Sequence, residues 1–245
     1  MSKARSWPFA GAAVAALLCA ACGGSVTQHP LTNQLDPAYP ALKIKTLAAL
    51  PFSSDISEQD DPDKVAGSMV ESKFYRALSA APTGYTMLPS SEVARTIERD
   101  KAQAQLQSFY KKWTSDQADV DTDFIKKVAA NMNADAVVSG VVDVWSQHPI
   151  DITQSGTART QVGVLIGLFD GATGKRLWLG RDENFKEAVR YTAGSESGEM
   201  ARLRTEREME RTNLRTATGP YAPPDYAQVV DVVVLPLVRA FPRPK

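Results

Sequence analysis

The stretch from Thr157 to Phe185 constrains this fold more than any other. Its first half alternates, with Thr160, Val162, Val164, Ile166 and Leu168 on one face and Gln161, Gly163, Leu165, Gly167 and Phe169 on the other. That is the two-residue period of a strand. Asp170-Gly171-Ala172-Thr173-Gly174 is a glycine-rich turn, and Lys175 to Phe185 returns as the hairpin partner. Such a hairpin is not stable alone in water, so the rest of the chain must supply its neighbours and cover.

The flanking segments do so in a readable order. Lys43 to Phe52 begins with polar-apolar alternation and turns apolar before Pro51, as a strand entering a covered sheet would. Asp61-Pro62 has the form of an N-cap with proline at the first helical position, and Val65, Met69, Val70, Phe74, Ala77 and Leu78 recur at helical spacing up to Pro82. Tyr85 to Leu88 is a short strand. Ser91-Glu92 opens a second helix carrying Val93, Ile97 and Leu106, with a polar far end through Tyr110-Lys111-Lys112-Trp113. Asp121 caps a third helix with the stripe Phe124, Ile125, Val128, Ala129 and Met132, and Asn133 suits a left-handed stop. Ala134 then enters a long strand running to Trp145. The order is β-α-β-α-α-β-β-β.

Val229 to Leu235 is β-branched and favours a strand by propensity. Spacing decides otherwise: Tyr226, Val229, Val230, Val233, Val234, Leu237, Val238 and Phe241 share one helical face after a Pro224-Asp225 start. Pro236 removes one backbone bond and is expected to kink or end this helix. The predicted fold is therefore α/β, one domain with a mixed sheet: a parallel β-α-β start, an antiparallel meander, covering helices and a carboxyl-terminal helix.

The amino terminus carries an address. Lys3 and Arg5, an apolar run from Trp7 to Leu18, and Ala20-Ala21-Cys22 form a lipoprotein-type export signal, too short for a membrane-spanning helix. Cys19 stands where leucine is usual, with Leu18 one place earlier. Residues 1–21 are expected to be removed and Cys22 to be lipidated. Residues 22–41, starting Cys22-Gly23-Gly24-Ser25, show no helical or strand period and suggest a flexible tether, about 60 Å when fully extended and about 25 Å as a coil. The domain then covers 42–245, with 186–218 as a charged insertion whose Arg202 and Glu206 are suitably spaced for an exposed helix.

Composition excludes several classes. Removal of residues 1–21 takes two of the 28 basic residues and none of the 28 acidic ones, leaving 26 against 28 and a formal charge of −2. That is no footing for nucleic acid. Cys22 is then the only cysteine, so neither an intramolecular disulfide nor a cysteine metal site is available. Asp60-Asp61-Pro62-Asp63 lacks the spacing of a calcium loop and suits helix capping. His29 and His148 stand apart from any nucleophile-elbow pattern, and Gly171-Ala172-Thr173-Gly174-Lys175 lacks the glycine and hydroxyl of a phosphate loop. No cofactor and no catalytic residue are expected. A carboxylate pair such as Asp143 and Asp170 is the nearest approach to glycan hydrolysis, and nothing in the sequence distinguishes it. Candidates for partner contact are Trp113 with Tyr110 and Lys111, and Arg204 and Arg207 in the charged segment. Trp145 and Trp178 are expected to pack inside.

Leu47-Ala48-Ala49-Leu50-Pro51-Phe52, the Asn-Ala-Asp-Ala-Val-Val-Ser-Gly of residues 133–140, and the hairpin Asp170 to Lys175 with Leu177-Trp178 resemble a superfamily of bacterial envelope lipoproteins. It includes the curli-secretion channel lipoprotein, the outer-membrane activator of a penicillin-binding protein and the amino-terminal domain of the Tol-system propeller protein. The resemblance covers residues 42–185 and the last helix. It implies a periplasmic domain acting by contact with other proteins, anchored by lipid in the outer membrane, Gly23 matching the outer-membrane pattern. A non-enzymatic accessory or regulator of an envelope protein, such as a cell-wall synthase, is the expected role. The alternative is a subunit of a secretion channel or ring; self-association is compatible with either. A pore would need alternating hairpins, and 186–218 has none.

Overall fold

The computed structural model describes residues 29–114, 121–150, 156–188 and 223–244. Seven strands form one sheet: β1 (His29–Leu35), β2 (Thr46–Ala49), β3 (Ser53–Ser54), β4 (Thr86–Leu88), β5 (Ala136–His148), β6 (Arg159–Asp170) and β7 (Arg176–Glu187). The order across it is β1-β7-β6-β5-β2-β4, with β3 paired to β5 beyond the end of β2. Pairs β2–β4, β2–β5 and β3–β5 are parallel. The β5–β6–β7 meander and β1 on its outer edge are antiparallel.

Five helices among the described residues cover the sheet: α1 (Ala66–Ala80), α2 (Ser90–Arg99), α3 (Gln103–Thr114), α4 (Thr122–Met132) and α5 (Tyr226–Ala240). Strand alternation divides the interior in two. Leu47, Ala49, Val138, Val164 and Ile166 face α1 and α5, whereas Ala48, Leu50, Val137, Val141 and Phe169 face α2, α3 and α4. Both faces of the central strands are thus dry, which accounts for their nearly continuous apolar sequence.

Local chemistry explains the elements. Asp121 accepts the Phe124 N–H at 3.1 Å to start α4, and Asn133, at φ 49°, ends it. Asp135 sets the entry to β5 and also accepts the Lys45 and Thr46 N–H groups at 2.8 and 2.9 Å, tying down the start of β2. Gly174 has φ 74°, and a Cβ there would lie 2.3 Å from the Thr122 carbonyl oxygen, so the hairpin turn packs on the start of α4 only with glycine.

Four expectations are corrected. First, His29–Leu35 and the 3₁₀ turn Tyr39–Ala41 belong to the fold, although both lie in the stretch assigned to the tether. An edge strand is held by main-chain bonds that leave no side-chain period in the sequence. Asn33 adds a side-chain bond, accepting from the Trp178 indole, and Tyr39 is buried. Second, α1 starts at Ala66 rather than Pro62; Asp61 still serves it, accepting the Val65 and Ala66 N–H groups at 2.9 and 3.0 Å from a turn in which Lys64 has φ 53°. Third, the second helix is two. Asp100 and Lys101 occupy the places where the stripe of Val93 and Ile97 would continue, so the chain turns at Lys101, φ 53°, and restarts with Ala102 buried. Fourth, Pro236 does not end α5: it lies inside the helix, which continues to Ala240. The proline is half-buried toward the outer side, while Leu237 and Val238 beside it remain in the core.

Helix α5 begins with Asp225 accepting the Ala227 N–H at 2.9 Å, and Tyr226 stacks on Trp145 with ring centroids 3.9 Å apart. It buries six side chains, among them Leu237 at 0% exposure. Leu237→Ala should lower stability by about 2–5 kcal/mol, read by urea unfolding, because it removes buried methyl groups and leaves a cavity.

Candidate functional site

Where β2 ends, the chain must leave the sheet between two helical layers, and the segment Leu50-Pro51-Phe52 makes that exit. Leu50 N–H still donates to the Val138 carbonyl at 2.9 Å. Beyond it the ladder is replaced by side chains. Tyr75 of α1 donates its hydroxyl to the Leu50 carbonyl at 3.0 Å, and Tyr110 of α3, from the opposite face, donates to the Pro51 carbonyl. Glu71 accepts the Phe52 N–H at 2.8 Å with one oxygen and the Ser90 hydroxyl with the other. Proline contributes no donor, so the Leu50 and Phe52 N–H groups and the Leu50 and Pro51 carbonyls are all satisfied. Burial raises the pKa of both tyrosines well above the usual phenol range, with the Glu71 charge adding to the effect, while a bond from Ser139 partly offsets it at Tyr110. Both remain phenols, as donors must. The Phe52 ring lies flat over Gly140, where a Cβ would come within 2.2 Å of it.

This exit forms one wall of a cleft of about 540 Å³, lined among others by Pro51, Phe52, Ser54, Ile56, Glu58, Asp61, Gly67 and Glu71. It lies outside the carboxyl end of β2, which has β4 on one side and β5 on the other, the end of the strands where ligands usually sit in an open α/β sheet. Its charged groups are engaged within the protein. Asp61 caps α1, Glu71 clamps the exit, and Glu58 pairs with Lys64 at 3.2 Å. Among the described residues no group of three His, Cys, Asp or Glu side chains is placed to hold a metal ion.

The contact residues predicted from sequence separate. Trp113 is a correction: it is 3% exposed, packed against Phe109 and Phe169 with centroids 5.8 and 5.5 Å away. Ala102, Leu106, Phe109 and Trp113 repeat at helical spacing, a signal that the neighbouring lysines masked. Tyr110 points inward to the clamp, while Lys111 of the same helix is exposed. Cys22, Arg204 and Arg207 lie outside the described residues. Of the carboxylates weighed for hydrolysis, Asp170 caps the hairpin turn through the Ala172 and Thr173 N–H groups. It pairs with Ala136, whereas Asp143 is seven residues further along β5, about 23 Å away. The two do not form a pair. His148 is the last residue of β5, which runs three residues past the predicted end at Trp145. The clamp residues Glu71 and Tyr75 were not anticipated; their i, i+4 spacing on α1 was the available signal.

Two further carboxylates lie against the sheet. Asp143, at a bulge in β5, meets Arg181 at 2.9 Å, and Glu183 accepts from Gln161 at 2.6 Å beside it. Burial raises the Asp143 pKa, and the Arg181 charge opposes the rise. Asp182 is 5% exposed, and its Oδ2 has no hydrogen-bond partner among the described residues. Burial raises its pKa as well, against a main-chain bond from Glu183.

No protein-family model matches the sequence, and comparison with curated proteins gives no match. Among solved structures, the chain is similar to the PelC dodecamer from Paraburkholderia phytofirmans, at 13% identity over 86% of this chain and 95% of that one, TM-score 0.43. It is similar to lipoprotein GNA1162 from Neisseria meningitidis at 16% identity, over 69% of this chain and 99% of that one, TM-score 0.40. The LpoB C-terminal domain from Salmonella enterica follows at 10% identity, over 58% and 84%, TM-score 0.34. The fold class is a single mixed α/β sheet with a carboxyl-terminal helix.

Two predictions follow from the geometry. Tyr75→Phe and Tyr110→Phe should each cost about 1–3 kcal/mol in urea unfolding, because each leaves a carbonyl of the exit without its donor. For Asp182, a folded-state pKa above the unfolded one means that the native state holds more protons between the two values, so stability falls as pH rises through that window. Asp182→Asn should flatten this slope and raise the unfolding midpoint at neutral pH; unfolding of both proteins across about pH 4 to 7 checks it.

Proposed function

We propose that this chain is a lipoprotein anchored in the outer membrane through Cys22, acting on the periplasmic side as a non-enzymatic accessory or regulator of an envelope protein, such as a cell-wall synthase. The observation that carries the reading is the export signal ending in Ala20-Ala21-Cys22, followed by Gly23. The engagement of Asp61, Glu71 and Asp170 in capping and clamping supports a protein that works by contact rather than by chemistry. Among the described residues no helix is long and apolar enough to cross a membrane.

Mass spectrometry of the mature protein should find Cys22 as the acylated amino-terminal residue. Cys22→Ala should leave the export precursor unprocessed and unacylated. Crosslinking in intact cells, wild type beside Cys22→Ala, should recover a cell-wall synthase or another envelope enzyme only with the wild type. An unmodified Cys22 overturns the anchor, and recovery solely of copies of this chain in a complex of fixed size favours the channel or ring alternative.

A further inference from the structure

The position of β1 changes what a lipid at Cys22 can reach. Its Thr32 to Leu35 pairs with Arg181 to Trp178 of β7, and His29 pairs with Glu183, so the fold takes hold of the chain seven residues after Cys22. Seven residues span about 25 Å fully extended and about 15 Å as a coil. The two ends of the sheet are not equivalent. Strands β5, β6 and β7 run past the end of β3, which stops at the level of Val142, and project to His148, Arg159 and Glu187. The start of α5 braces this projection, with the Pro224 carbonyl accepting from Thr160 and from Gln147, the latter at 3.1 Å. The opposite end is the Asp170 to Lys175 turn.

His29 lies level with Gly163 through Glu183, four residues from Arg159 and seven from Asp170 along β6, or about 13 and 23 Å. Seven residues cover the first distance at about half of their full extension. They reach the second only when almost fully stretched and doubled back along the strand they feed. We infer that the anchor holds the projecting end of the β5–β6–β7 meander, with the exposed His148 and Arg159, against the headgroups of the membrane, and directs the Asp170–Lys175 turn away from it. The inference rests on the acylation of Cys22 proposed above. It confines the partner to the membrane-proximal layer, because the fold does not swing on the tether of residues 22–41 predicted from sequence.

Energy transfer to a headgroup-labelled lipid tests this. The full acylated chain is reconstituted in phosphatidylethanolamine–phosphatidylglycerol vesicles, with a donor dye on Arg159→Cys or on Thr173→Cys; both positions are exposed, and no other free thiol remains once Cys22 is acylated. The donor at Arg159→Cys should transfer at least about twofold more efficiently, since the positions lie about 35 Å apart along the sheet. Inserting a glycine-serine run of about 20 residues after Gly24 should abolish the contrast by roughly doubling the coil's span. Equal transfer from the two positions with Cys22 acylated overturns the orientation and leaves the anchor standing. A contrast that survives the insertion overturns the leash as its cause. An unacylated Cys22 in the mass spectrum overturns the anchor and the inference together.

Discussion

The exit of β2 is where the structure's demands converge. A strand that leaves a covered sheet takes carbonyls out of the ladder while still between two dry layers, where an unpaired polar group is costly. Here α1 and α3 each send one tyrosine through their own layer to the same peptide pair, and Glu71 holds the next N–H. The same three groups join the layers, since Tyr75 and Glu71 belong to the α1 side and Tyr110 to the α3 side. The cleft, the position of Phe52 over Gly140, and the path from β2 into α1 all depend on this exit keeping its place.

Much of the architecture could be read from the sequence because side-chain period records burial. The meander, the α4 caps at Asp121 and Asn133, and the helix α5, whose β-branched residues argue for a strand, follow from spacing alone. Elements held by main-chain bonds leave weaker traces. Strand β1 is an edge with mostly polar side chains, and β3 is two serines long. The break at Lys101 is marked only by charges falling where a stripe should continue. Trp113 reads as a surface residue because its sequence neighbours are lysines, whereas its neighbours in space are Phe109 and Phe169. The clamp depends on contacts between Leu50-Pro51 and residues 25 and 59 positions away, a pairing that no local pattern records.

The motifs that carried the resemblance prove to have structural duties. Pro51-Phe52 is the exit, Asp135 fastens β2 to β5, and Gly174 lets the hairpin turn approach α4. Residues with such duties build the sheet, and a function must come from surfaces added to it. Of the acidic groups at the cleft, Asp61 and Glu71 hold main-chain N–H groups and Glu58 pairs with Lys64, so all three are committed within the fold.

The antiparallel pairing of β1 with β7 has a mechanical side. A pull from the amino-terminal side enters the fold at His29, and when it acts along β1 it opposes the direction in which that strand runs. Hydrogen bonds perpendicular to the strand are then loaded in shear, sharing the force, instead of opening one after another as in a zipper. The edge strand, the least covered part of the sheet, is thus loaded in its stronger direction.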